Sequence, residues 1–203
     1  TAQFTVVSGR RRIGKTVLVK KAYEGLPMIY LFVARKSESE LCESFMECIR
    51  EVIDVPLMGR VTKFADIFRY LMDLATKQHI TVLIDEFQEF YFVNPSVYSD
   101  MQNIWDSYKD KAKINLVVCG SVNSLLNRIF RDKKEPLYAR QTDSMKIEPF
   151  APSVLKNIMG TYAPDYTSED LLALYMFTGG VAKYVEMFVD KGQQILRCVI
   201  RGV

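Results

Sequence analysis

The chain holds a single histidine in 203 residues, which leaves no room for a metal site built from several imidazoles or for catalysis that passes protons between them. Cysteine is scarce as well. Cys42, Cys48, Cys119 and Cys198 form no CxxC pair, and a chain of this length needs no disulfide scaffold, so the thiols fit a reducing, intracellular setting. No run approaches the ~18 apolar residues of a membrane span, and no signal-peptide pattern is visible. Neither charge sign dominates: 27 Lys and Arg against 24 Asp and Glu leave +3 at neutral pH, too little by itself to imply a nucleic-acid or membrane partner. Internal repeats and low-complexity tracts are absent too. A cytoplasmic protein is expected. With 49% hydrophobic and 25% charged residues, the composition is that of an ordinary folded chain, and one domain with at most a small appendage is expected at this length. There is no initiator methionine: the chain opens at Thr1, enters a strand by Phe4 and ends at Arg201-Gly202-Val203 inside an amphipathic stretch. It reads as a fragment of a longer protein.

What is present alternates strand and helix. Phe4 to Ser8 reads as an apolar strand, followed by a glycine-framed loop and a helix through Ala22. Met28 to Ala34 is apolar throughout, as a buried parallel strand is. Ser37 and Glu40 form a capping box that starts a helix running to about Val52. Pro56 and Gly59 break the pattern, and Phe64, Ile67, Phe68, Leu71, Met72 and Ala75 then recur at helical spacing. Thr81 to Ile84, Asn115 to Cys119 and Met145 to Ile147 supply three more strands, with an amphipathic helix marked by Met101, Ile104, Trp105 and Tyr108. After Pro149-Phe150-Ala151-Pro152 the strand signal stops and short helices follow, one opening on a second capping box of Thr167 and Asp170. Such alternation predicts an α/β fold, a parallel sheet with helices on both faces. The predicted division is a core over 1–150 and a small C-terminal helical lid over 151–203.

The strongest local pattern is Gly9-Arg10-Arg11-Arg12-Ile13-Gly14-Lys15-Thr16, a GxxxxGK[ST] sequence between a strand and a helix. Glycines let the backbone wrap a phosphate, successive N–H groups point inward, and the following helix adds its positive end. Gly9 through Thr16 and Val17 are therefore the expected nucleotide-binding residues. Lys15 reaches the β- and γ-phosphates, and the Thr16 hydroxyl is an expected Mg²⁺ ligand. Thr81-Val82-Leu83-Ile84-Asp85-Glu86 is an apolar strand ending in two carboxylates. At the C-terminal edge of a parallel strand Asp85 can hold the Mg²⁺ hydration shell, and Glu86 can orient and deprotonate a water. Taken alone, the same pair could be no more than an acidic helix start.

Because Glu86 follows the third strand, another strand must lie between the two that carry the site. That is the layout of P-loop NTPases with an inserted strand and a catalytic glutamate, with sheet order 5-1-4-3-2. Guanine nucleotide is disfavoured: no DxxG glycine follows Asp85 and no NKxD segment occurs, and an LSGGQ-like transporter segment is absent too. The fourth strand ends in Cys119-Gly120-Ser121. Ser121 is expected beside the γ-phosphate as a sensing hydroxyl, with helix capping for a Val122 to Phe130 helix as its plainer role. Charge on the transition state calls for a cation. Arg140, in Pro136-Leu137-Tyr138-Ala139-Arg140, is the first choice, ahead of Arg128 and Arg131.

Taken in order, Gly9 to Thr16 with its arginines, Ile84-Asp85-Glu86-Phe87-Gln88, Gln102 to Asp106, Cys119-Gly120-Ser121 and Pro136 to Arg140 resemble the prokaryotic AAA+-type ATPases of archaea and bacteria, near the signal-transduction (STAND) ATPases. The likeness covers nearly the whole chain. It implies Walker A positions at Lys15 and Thr16, Walker B positions at Asp85 and Glu86, a sensor 1 position at Ser121, and an arginine typical of the family at Arg140. One departure stands out: Thr178-Gly179-Gly180-Val181-Ala182-Lys183-Tyr184 has Ala182 where the family usually has a proline that packs on the nucleotide.

The expectation is an ATP-binding, Mg²⁺-dependent ATP-hydrolysing module, with nucleotide between the sheet edge and the lid and a nucleotide state that switches conformation or docking on itself or a protein partner. Nucleic acid would be reached only through flanking domains. Two rivals share the loop: a non-hydrolysing nucleotide-gated interaction module, and a small-molecule kinase, which the helical tail fits less well. His79 reads as a turn histidine, Cys119 as a small buried hydrophobe, and the Phe87, Phe90, Tyr91, Phe92 cluster mostly as core. The basic runs Lys109 to Lys113 and Arg128 to Lys134 read as solvated faces.

Overall fold

Aliphatic residues fill the central strands so completely that neither sheet face can meet water. All six residues of β3 (Ile80–Asp85) are buried, and seven of the eight in β4 (Ile114–Ser121), the pattern of strands covered on both faces. In the computed structural model, which describes residues 1–54, 59–121 and 124–190, they join β1 (Gln3–Gly9), β2 (Ile29–Phe32) and β5 (Asp143–Ile147) in one sheet of order β2-β3-β4-β1-β5. This is the expected order read from the other edge, and the sheet is parallel. Pro56, the helix start at Val122, Cys198 and the 201–203 end lie outside the described residues.

Two compact units divide the chain: Thr1–Gly9 with Thr16–Lys146, and Arg10–Lys15 with Ile147 onward. In the first, the register sets Gly9 opposite Ser121 and Phe32 opposite Asp85. The C-terminal ends of β1, β2, β3 and β4 therefore come out at one sheet edge, where side chains of different strands can meet. Helices α1 (Lys15–Ala22), α2 (Glu38–Val52), α3 (Phe64–Ala75), α4 (Phe90–Val93), α5 (Val97–Tyr108) and α6 (Ser124–Arg131) accompany the strands. The Ser37–Glu40 capping box opens α2 as expected. Phe4 packs on Trp105 and Phe130 with ring centroids 5.1 and 5.6 Å apart, and Phe64 on Phe90 at 4.7 Å. The aromatic cluster after Glu86 splits. Phe87 and Phe90 are core, whereas Tyr91 and Phe92, on the opposite side of the short α4, are exposed. Edge strand β5 is mostly exposed along its length.

In the second unit, α7 (Pro152–Tyr162), α8 (Ser168–Thr178) and α9 (Ala182–Asp190) close on Leu155, Met159, Ala163, Leu174 and Val185. Pro152 stands in the first turn of α7, where a missing N–H is harmless. The Thr167–Asp170 capping box opens α8, and Gly179 ends it in a left-handed conformation. Among the described residues no helix is long and apolar enough to cross a membrane.

Candidate functional site

Asp85 closes β3 and is only 5% exposed, and a polar group so placed must be hydrogen-bonded. Its Oδ2 accepts a hydrogen bond from the Thr16 hydroxyl at 2.6 Å and another from the Tyr30 hydroxyl at 3.2 Å. Its Oδ1 accepts the backbone N–H of Glu86 at 2.9 Å. The first turn of α1 and the end of β3 are thereby joined through side chains 69 residues apart. Thr16 and Asp85, the two expected metal ligands, thus sit side by side.

Tyr30 belongs to no motif, and sequence reasoning missed it. It lies two residues before the end of β2, the neighbour of β3, so register carries it to Asp85. Burial, and then the Asp85 carboxylate, push its phenol above the ordinary value, which keeps the hydroxyl a donor. The Lys20 ammonium lies over its ring at 3.7 Å, a cation–π contact.

Glu86 is left-handed, with φ 52° and ψ 40°, a conformation that disfavours any residue with a Cβ by roughly 1–2 kcal/mol. Such strain clusters at functional sites. Its carbonyl receives the N–H of Glu89 at 2.8 Å and starts the 3₁₀ turn, while its Oε2 accepts the Gln88 Nε2. Ser121 is the last residue of β4, opposite Gly9; the residue is 6% exposed, and its hydroxyl is buried without a hydrogen-bond partner among the described residues. Cys119 is buried in β4 as expected.

The loop belongs to the second unit. Arg12 and Gly14 have φ of 64° and 96°, the left-handed turns that aim successive N–H groups at one side. The Ile13 N–H donates to the Arg10 carbonyl at 3.4 Å, and Lys15, 6% exposed, donates from Nζ to the same carbonyl at 3.2 Å. Ile13 is buried, and Arg10 and Arg11 are exposed. The start of α9 grips the loop from within this unit. The Lys183 N–H donates to the Arg12 carbonyl at 3.2 Å, and the Arg12 guanidinium lies 5.7 Å from the Tyr184 ring centroid. A Cβ on Gly14 would stand 3.9 Å from that of Ala182, so the residue that departs from the family pattern packs beside the loop. Val17, on α1, is 72% exposed.

Arg140 does not join this group. Its guanidinium donates to Asp106 at 2.8 and 3.0 Å and to the carbonyls of Pro136 and Tyr138 at 2.7 and 3.2 Å. Just beyond it, the Thr142 N–H donates to the Phe4 carbonyl, which places the segment at the start of β1. From Phe4 to Gly9 a strand rises about 17 Å, and Ser121 lies at the far end. In this structure the Arg140 guanidinium is engaged at the start of β1, away from the C-terminal sheet edge, where it latches the 136–140 turn to α5. Arg128 is paired with Glu135.

Residues 1–188 match the model of an ATPase domain found predominantly in Archaea. The chain belongs to this family. An uncharacterized protein of Methanocaldococcus jannaschii is 29% identical over 184 residues, 91% of this chain but 39% of that relative, so the chain spans about two fifths of the relative's length. The fold of this archaeal ATPase domain is also that of a Walker-type ATPase of Pyrococcus abyssi, with TM-score 0.68 and 19% identity over 98% of this chain and 67% of that one. A signal-transduction ATPase with a tetratricopeptide-repeat sensor from Pyrococcus horikoshii superposes with TM-score 0.57 and 16% identity over 92% and 27%. At these identities the two likenesses speak for the fold alone. The domain is a nucleotide-binding module of the ATPase kind.

Proposed function

We propose that this domain binds Mg-ATP and hydrolyses it, with residues 1–150 as the catalytic core and 151–203 as a helical lid. The observation that carries the reading is the 2.6 Å bond between Thr16 and Asp85, which joins the helix after the phosphate loop to the acidic end of β3. Among the described residues no cluster of three or more His, Cys, Asp or Glu could hold a metal. One hydroxyl and one carboxylate nevertheless suit Mg²⁺, which takes few protein ligands and completes its shell with phosphate and water. Bound there, Mg²⁺ would supply charge neutralisation at the phosphates.

The chain's own residues do the rest. The loop N–H groups and Lys15 hold the phosphates. Glu86 orients a water and takes its proton as the water oxygen bonds the γ-phosphorus and the bond to the β–γ bridging oxygen breaks. The buried Ser121 hydroxyl, with a donor and lone pairs to spare, hydrogen-bonds that water or a γ-phosphate oxygen. Turnover then changes how Ala182, Lys183 and Tyr184 grip the loop, and with it the docking of the module on a second copy or a protein partner in the cytoplasm.

The contacts of Arg140 favour a second reading, a nucleotide-gated interaction module that does not hydrolyse, because its guanidinium is engaged by Asp106 and two backbone carbonyls. Calorimetric titration with Mg-ATP and Mg-GTP, with Lys15→Ala as control, tests binding: micromolar ATP affinity, weak GTP affinity and at least a tenfold loss in the variant are expected. Glu86→Gln separates the two readings. Hydrolysis requires turnover to fall by about 10²–10⁴ with binding retained, whereas the second reading requires no wild-type turnover. X-ray scattering with a non-hydrolysable analogue checks the switch, and a profile without compaction or association counts against it.

A further inference from the structure

Gln88 is only 1% exposed, yet it carries an amide into the core. Its backbone is pinned: the Tyr98 hydroxyl is shared between the Phe87 and Gln88 carbonyls at 3.3 Å each, and Phe87 is locked among Phe90, Tyr98 and Phe130. The side chain therefore leaves a rigid turn in a set direction. Its Nε2 donates to Glu86 Oε2, and its Oε1 is buried with no partner among the described residues. An apolar side chain of the same length would fill this place without burying an unsatisfied oxygen. What the amide does that an apolar chain cannot is hold Glu86.

The seat for this amide is cut by Gly120. That glycine is not among those with positive φ, so its backbone conformation does not demand glycine. Space does. A Cβ there would stand 2.3 Å from Gln88 Oε1 and 3.0 and 3.1 Å from the two methyls of Leu126, so any side chain at 120 would force the amide to shift from this position. Glu86, meanwhile, sits in a left-handed backbone conformation that persists only when its surroundings over-determine it. We propose that Gln88 is the positioning residue for Glu86, seated by the missing side chain of Gly120, and that it aims the carboxylate at the attacking water. The proposal rests on the hydrolytic reading above.

Gln88→Met keeps length and loses the donor; Gly120→Ala keeps the donor and closes the seat. Each is expected to lower turnover at saturating Mg-ATP about ten- to a hundredfold, the effect of a misaimed catalytic group, while the Kd for Mg-ATP stays within about twofold. A structural role would produce the same split if it reached the site indirectly, so a double-mutant cycle decides. In a Glu86→Gln background, Gln88→Met should cause no further loss. Wild-type-like or raised turnover in Gln88→Met, or an equal loss in both backgrounds, overturns the proposal. If Gln88→Met does not fold, the same cycle with Gly120→Ala stands in its place. Should the wild type not exceed Glu86→Gln in turnover, the hydrolytic reading fails by itself. The pairing is then read from the ¹⁵N side-chain amide resonance of Gln88: a shift in Glu86→Ala supports it, and an unmoved resonance overturns it.

Discussion

Gly179 and Gly180 offer a paired experiment in the helical unit. Both are left-handed, with φ of 54° and 70°, so replacing either by alanine places a Cβ in the same disfavoured region. Their surroundings differ. Among the described residues nothing lies within 4 Å of a Cβ built on Gly179, whereas one on Gly180 would stand 2.4 Å from the Phe150 carbonyl oxygen and 3.0 Å from its nitrogen. Those are backbone atoms, and the Phe150 N–H donates to the Gly180 carbonyl at 2.8 Å, so neither segment can move without breaking that bond. Gly179→Ala should thus lose only the conformational part, about 1–2 kcal/mol. Gly180→Ala adds about 1–3 kcal/mol for forced displacement and ~1 kcal/mol for the hydrogen bond. In urea denaturation followed at 222 nm, a difference of about 2–4 kcal/mol separates the two midpoints by about 1–2 M when the slope is about 2 kcal/mol/M. Midpoints that coincide would refute the reasoning, since the close approach to Phe150 is what is expected to separate the two variants. Gly180 stands two residues before α9, so the same variant should also loosen the Lys183–Arg12 contact and weaken nucleotide binding.

Removing the Tyr30 hydroxyl in Tyr30→Phe leaves Asp85 with Thr16 and its backbone donor. The loss of about 1 kcal/mol for one hydrogen bond should raise the Mg²⁺ concentration for half-maximal ATP binding about two- to tenfold, measured by titration at fixed ATP. Arg140→Ala should lower the urea midpoint, with about 1–3 kcal/mol lost from its bonds to Asp106 and the two carbonyls. Turnover per folded chain should stay unchanged, and a collapse of turnover at intact stability would return Arg140 to the chemistry. Burial, and then the nearby Glu38, Asp66 and Glu43 carboxylates, push the Cys42 thiol up to about 12. The folded state therefore favours the neutral thiol, and its stability is whole below the unfolded value of 9.0 and declines as pH climbs from there toward 12. Midpoints at pH 7 and 10.5 should show that fall, and it should shrink in Cys42→Ala.

The parts of this protein legible from its sequence are those whose chemistry is written in consecutive residues. A phosphate loop needs its glycines, lysine and threonine at fixed spacing, and an acidic strand end needs its carboxylates next to an apolar run, so Lys15, Thr16, Asp85 and Glu86 stand out as candidates from the sequence alone. Both capping boxes are equally local, as each closes within four residues. The sheet order followed from counting strands between motifs, a topological argument that side chains need not refine. Tyr30, Gln88 and Gly120 carry no such signature. Tyr30 meets Asp85 because β2 and β3 pair in one register out of several, and Gly120 looks like any strand-end glycine until Gln88 is seated against it. Arg140 shows the converse: a residue in a suggestive segment was carried to the start of β1 by the pairing of Thr142 with Phe4. Sequence by itself determined which groups are candidates for the proposed chemistry, because covalent neighbours fix composition and spacing. Only the tertiary structure decided which of them meet, because strand register and packing move side chains by many ångströms while hydrogen bonds act over about three.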